Sequence, residues 1–153
     1  MFDGRIGCRP LGLAAHPSTG TLRPGANTLK FTVEAVERTM YYDLLLHVDT
    51  DDASLATALR NAANYSKAGI DVPYSIALVV NGKAVSLLRR ETCLHKEAIA
   101  ALCSQNMRLY VCNNALSEQG IDAALLVAEA EVVPAGIVQI VTLQREGFAY
   151  VKP

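Results

Sequence analysis

The sequence predicts an α/β fold, an open three-layer sandwich in which a mostly parallel sheet of about five strands carries helices on both faces. Three observations lead there. Apolar runs of strand length recur from Tyr41 onward, segments with helical spacing lie between them, and Gly, Pro or Asn-Gly punctuates the boundaries. Strands that alternate with helices pair in parallel through crossover connections.

Residues 1–40 read as an arm separate from the α/β domain at 41–153. Residues 1–27 hold Gly4, Gly7, Gly12, Gly20, Gly25, Pro10, Pro17 and Pro24, a composition that opposes regular structure. Residues 28–36 alternate, with Leu29, Phe31, Val33 and Ala35 against Lys30, Thr32 and Glu34. This is the pattern of one extra strand, for the main sheet or for a neighbouring subunit.

Within the domain, Tyr42–Val48 is a compact apolar run suited to a strand buried on both faces. Thr50, Asp51 and Asp52 offer caps for a helix over 53–67, where Leu55, Leu59, Ala62 and Ala63 share a face, and Gly69 suits its end. Tyr74–Val80 is a second strand, closed by Asn81-Gly82. A short helical turn over 83–89 follows. A helix over 94–105 then turns Leu94, Ala98, Ile99, Leu102 and Cys103 inward. Arg108–Cys112 makes a third strand, Ile121–Ala128 a helix and Val132-Val133 a short strand stopped by Pro134. Gly136–Arg145 is helical, with Ile137, Ile140, Val141 and Gln144 roughly on one side, and Phe148–Val151 forms the last strand.

The 153 residues suit one domain, and 51% hydrophobic content suffices for a core. A formal net charge of −1 supplies neither a basic footprint for nucleic acid nor a polybasic patch for anionic lipid. No apolar run reaches the length of a membrane span, and the N-terminus lacks the pattern of a secretory signal. A cytoplasmic protein with no membrane or nucleic-acid partner is therefore expected. The four cysteines are Cys8, Cys93, Cys103 and Cys112. They form no C-x-x-C pair and no zinc-ligand spacing, so no metal site is expected and free thiols are the default in a reducing compartment.

Open parallel sheets bind ligands outside the carboxyl ends of their strands. Asp49–Asp52, Asn81–Lys83 and Cys112–Ala115 reach that edge. Cys112 ends its strand, so its sulfur meets loop N–H groups, which favour the nucleophilic thiolate. Asn113, Asn114, Asn81 and Gly82 are the binding candidates around it. The plain alternative is that Cys112 is a small buried hydrophobe, and from position alone the two are evenly matched. Cys103 reads as core. Cys93 lies near a helix start beside His95, but residues two apart on a helix do not face each other. His47, inside a strand, reads as a hydrogen-bonded core residue, and His16 and His95 as surface. Asn61 and Asn64 share one helix and have no assigned role.

Residues 41–153 resemble the DsrE/DsrF-like family. The likeness rests on Leu109-Tyr110-Val111-Cys112-Asn113-Asn114-Ala115-Leu116 with Gly120-Ile121. It rests also on Val132-Val133-Pro134-Ala135-Gly136-Ile137-Val138 and on Leu143-Gln144-Arg145-Glu146-Gly147-Phe148-Ala149-Tyr150-Val151-Lys152-Pro153. Asn61-x-x-Asn64 and Val79-Val80-Asn81-Gly82-Lys83-Ala84-Val85 support it. The resemblance implies a relative of the flavodoxin-like folds that assembles into homotrimers or hexamers. It also implies a sulfurtransferase or sulfur carrier holding sulfane sulfur as a cysteine persulfide, with donor and acceptor proteins as partners. Cys112 stands where such members carry sulfur. No metal or organic cofactor is needed, because sulfur exchange is displacement by a thiolate. Two departures stand beside the likeness: residues 1–40 have no counterpart, and Asn113-Asn114 replaces the small residues of some relatives.

Two other readings compete. One is an oligomeric module that binds a small ligand or a partner without covalent chemistry, with Cys112 shielded. The other is a thiol-dependent enzyme using Cys93 with His95, which requires a strongly lowered pKa at Cys93.

Overall fold

A computed structural model describes residues 42–153. The predicted arm and the strand at 28–36 lie outside the described residues, as do Cys8 and His16. Five strands form one sheet: β1 (Leu44–Val48), β2 (Ile76–Val80), β3 (Met107–Cys112), β4 (Ala130–Val133) and β5 (Ala149–Val151). Their order is β4-β3-β2-β1-β5 and every pairing is parallel. The helices are α1 (Asp52–Ser66), α2 (Lys96–Cys103), α3 (Asn113–Glu118) and α4 (Gly136–Arg145), with 3₁₀ segments at Gly82–Leu88 and Ala123–Leu125.

The layering follows from the pleat. Alternate residues of each strand point to opposite faces. Leu44, Leu46 and Val48 of β1, Ile76, Leu78 and Val80 of β2, and Met107, Leu109 and Val111 of β3 meet α1, α2, α3 and the first 3₁₀ segment. Leu45, Ala77, Val79, Tyr110 and Val133 meet Ile140 and Leu143 of α4 on the other face. Two five-residue strands are buried on both sides as a result, which is why they read as apolar runs, broken only by His47 in β1.

Local chemistry sets the boundaries. The Asp51 carboxylate accepts the Ser54 backbone N–H at 2.9 Å and starts α1. Gly147, at φ +99°, closes α4. Gly82 has φ +52°, and a Cβ there would stand 2.7 Å from the Asp49 backbone oxygen. The turn after β2 therefore lies flush against the end of β1, and only glycine fits.

Four local expectations are corrected. Ile121–Ala128 is not one helix: only Ala123–Leu125 turns, as a 3₁₀ segment capped by Asp122. The backbone of this stretch instead bonds to the first 3₁₀ segment and the residues after it, through Val127 N–H to Leu88 O at 2.9 Å and Arg90 N–H to Leu125 O at 2.8 Å. A helix, α3, starts directly after Cys112, at Asn113. Leu94 and Ala98 are exposed, leaving Ile99 and Leu102 as the buried face of α2. Ile137, Val141 and Gln144 face solvent, and α4 buries Gly136, Ile140 and Leu143 instead. No helix of the described residues is long and apolar enough to cross a membrane.

The segment after β5 is tied back to the sheet. Lys152 Nζ donates to Asp49 Oδ2 at 2.6 Å, and this bond holds the Asp49 carboxyl below its ordinary value. The same bond raises the Lys152 ammonium. A depressed carboxylate contributes stability that is complete above its unfolded value of 3.8 and lost as pH falls through the lower folded value. A raised ammonium contributes below its unfolded value of 10.5 and loses that contribution as pH rises through the folded one. Lys152→Ala is therefore expected to lower the urea midpoint slightly at neutral pH, with the difference from the native protein vanishing in acid. Gly82→Ala is expected to cost about 1–3 kcal/mol in urea unfolding, from a strained φ and a backbone clash. An unchanged midpoint would show that this turn moves freely.

Candidate functional site

Adjacent parallel strands that send their chains to opposite faces leave a crevice at their carboxyl ends. β3 runs into α3 on the first face and β4 into α4 on the second, so the crevice opens between them. Cys112 is the last residue of β3 and lies in register with Val133 of β4. The residue is 6% exposed. It is also the residue from which α3 springs, with extended backbone at φ −72° and ψ 115°.

The wall of the crevice is the start of α4. Gly136 is buried there, and a Cβ at that position would stand 3.2 Å from the Cβ atoms of both Asn81 and Cys112. A glycine thus lets the first turn of α4 settle onto the ends of β2 and β3. It brings two sequence candidates, Asn81 and Cys112, to one place. Gly82 is beside them and accepts the Gln119 side-chain N–H at 2.7 Å, joining the end of α3 to the turn after β2. Asn113 and Asn114 are exposed on α3.

A polar chain centred on the buried His47 runs behind Asn81. His47 of β1 is 9% exposed and both of its ring nitrogens have partners. Nε2 lies 3.0 Å from Asn81 Oδ1 and Nδ1 lies 2.7 Å from the Tyr150 hydroxyl of β5. An imidazole in an apolar layer is costly unless bonded in this way. His47 was legible as a hydrogen-bonded core residue, but Tyr150 and Gly136 had no signal of their own. The His47–Tyr150 contact spans 103 residues of sequence.

The other thiols sit elsewhere. Burial pushes the Cys93 thiol up, although the His95 backbone N–H opposes it. The His95 ring is half-buried and lies 2.9 Å from Asp52 Oδ1, so it is not the surface residue expected. A Cys93 nucleophile activated by His95 needs the opposite shift. Burial and the Glu129 charge push Cys103 up to about 11, in keeping with a packing role. Asn61 and Asn64 border an open groove with Leu44, Leu46, Tyr65 and Val151, away from the cysteine. Among the described residues, no group of three or more His, Cys, Asp or Glu side chains is gathered as a metal site.

Comparison with known proteins agrees with this architecture. The DsrE/DsrF-like family matches residues 41–153. A solved structure of a protein of unknown function from Methanobacterium thermoautotrophicum, MTH1491, superposes with a TM-score of 0.66 at 28% identity. The match covers 73% of this chain and 99% of that one. No curated protein matches the sequence. A parallel α/β sheet with its cysteine at the end of β3, and a family match over the whole of the α/β domain, make this chain a member of the DsrE/DsrF-like family.

Proposed function

We propose that the protein is a sulfur carrier in a sulfur relay, holding sulfane sulfur on Cys112. Family membership supports a sulfur-relay-related role. The observation that carries the finer reading is the position of Cys112 at the carboxyl end of β3, beside Asn81 and under the first turn of α4. This is where an open parallel sheet places reacting groups.

The chemistry needs only thiols. The Cys112 thiolate attacks the outer sulfur of a donor persulfide, R–S–SH. A new sulfur–sulfur bond forms to Cys112, the donor's own sulfur–sulfur bond breaks, and RS⁻ leaves as the thiolate. An acceptor thiolate then attacks the outer sulfur of the Cys112 persulfide, and Cys112 departs as thiolate. No net oxidation occurs in either step. Burial shelters the carried sulfur from bulk thiols between transfers, and donor and acceptor are met when the crevice opens. Free thiols of this kind fit a reducing compartment such as the cytoplasm.

The same 6% exposure favours one other reading, a non-covalent binding module in which Cys112 only packs. Intact mass after incubation with a small persulfide separates the two. The native chain is expected to gain one sulfur, about 32 Da, and Cys112→Ser to gain none. No gain in either protein, or an equal gain in both, would leave the binding module.

Assembly with copies of itself belongs to this proposal. Ile137, Val138 and Val141 form an outward apolar face on α4, with exposures of 62%, 62% and 44%. Single exposed apolar residues are ordinary, but a contiguous set on one helix marks a contact surface. Sedimentation is expected to give a species larger than one chain, reduced to a monomer by Ile137→Glu with Val138→Glu. A monomeric native protein at micromolar concentration would remove this part.

A further inference from the structure

The chain Tyr150–His47–Asn81 ends beside the cysteine, and its direction has a consequence for sulfur. Asn81 Oδ1 can only accept, so His47 Nε2 donates to it across the 3.0 Å contact. In the neutral ring Nδ1 is then an acceptor, and the Tyr150 hydroxyl donates to it across 2.7 Å. With Oδ1 turned to the imidazole, the ring carries its proton on Nε2, the tyrosine hydroxyl donates to Nδ1, and the amide nitrogen is turned the other way.

The amide nitrogen borders the first turn of α4, against which Cys112 also rests. Asn81 Nδ2 is 3.6 Å from the point that a Cβ on Gly136 would occupy, and the same point is 3.2 Å from the Cys112 Cβ. Among the described residues Nδ2 makes no hydrogen bond, with Cys112 Sγ or with any other acceptor. A second sulfur bonded to Cys112 extends the side chain by about 2 Å. It carries the negative charge of a deprotonated persulfide and can accept from such a donor.

We infer that His47 and Tyr150 are positioning residues: they lock the Asn81 side chain so that its –NH2 group faces the sulfur carried by Cys112. This rests on the sulfur-carrier reading and adds to it the donor for the carried sulfur and the two residues that aim it. Packing alone gives no reason for the arrangement. His47 sits in a strand of Leu44-Leu45-Leu46-His47-Val48 and is in register with Val79, where an apolar side chain would serve. Without the histidine the amide is free to turn over and present its oxygen to the anion, which repels it.

The test is the rate at which the full-length protein takes up sulfur from glutathione persulfide, read by intact mass and counting only the gain that Cys112→Ser abolishes. His47→Leu and Asn81→Ala are each expected to load about tenfold more slowly, the worth of one hydrogen bond to a charged group. The double variant is expected to match Asn81→Ala, because His47 acts only through Asn81. His47→Gln, whose amide nitrogen can replace Nε2–H, is expected to restore most of the rate. Tyr150→Phe keeps the ring, loses only the hydroxyl, and is expected to slow loading in the same direction even where His47→Leu fails to fold. Loading at the native rate in Asn81→Ala, multiplying losses in the double variant, or no rescue by glutamine would each overturn the assignment while the carrier reading stands. No Cys112-dependent loading in the native protein would remove both.

Discussion

A right-twisted strand and its crossover return to a parallel sheet on one face only, so the direction in which each strand is added decides where its helix lies. In this chain β2, β3 and β4 are added in one direction, and their connections, α1, α2 and α3 with the 3₁₀ segments, all lie on one face. The last step runs back across the sheet to place β5 beside β1, and its helix must take the other face. The crevice at the end of β3 is a product of that single reversal. So is the junction of β1 with β5, where His47 meets Tyr150.

Much of this was legible because burial writes itself into sequence. The strands at 44–48 and 76–80 are apolar but for His47 since both faces are covered, and Asp51, Gly82 and Gly147 mark their turns by chemistry that few residues share. The segment at 121–128 misled because Ile121, Leu126 and Val127 are buried without being helical. Their spacing comes from backbone pairing with the segment that ends near Arg90, which no local pattern reveals. On α4 the apolar residues surround the helix, so periodicity alone did not separate Ile140 and Leu143, which pack inward, from Ile137 and Val141, which do not.

The candidate site divides in the same way. Cys112 and Asn81 were identifiable from their place at strand ends, because topology fixes which edge of a parallel sheet receives ligands. Their closeness depends on Gly136, and the orientation of Asn81 depends on a histidine and a tyrosine from two other strands. Contacts of that kind are made by the whole sheet and leave no trace in any one segment. The neighbouring asparagines at 113 and 114 were grouped with the cysteine by sequence adjacency, yet the turn into α3 leaves them exposed to solvent.

The two helical layers are unequally anchored. α1 alone buries Leu55, Ala58, Leu59 and Ala62 on the first face, whereas α4 holds the second with Gly136, Ile140 and Leu143. Resistance to local opening follows the apolar surface a segment buries. Backbone amides of α4 are therefore expected to exchange with solvent more readily than those of α1, and α4, whose opening turn rests on Cys112, is expected to open first. On the sulfur-carrier reading, the lifetime of a sulfur held there depends on how long two aliphatic side chains and a glycine keep one ten-residue helix seated.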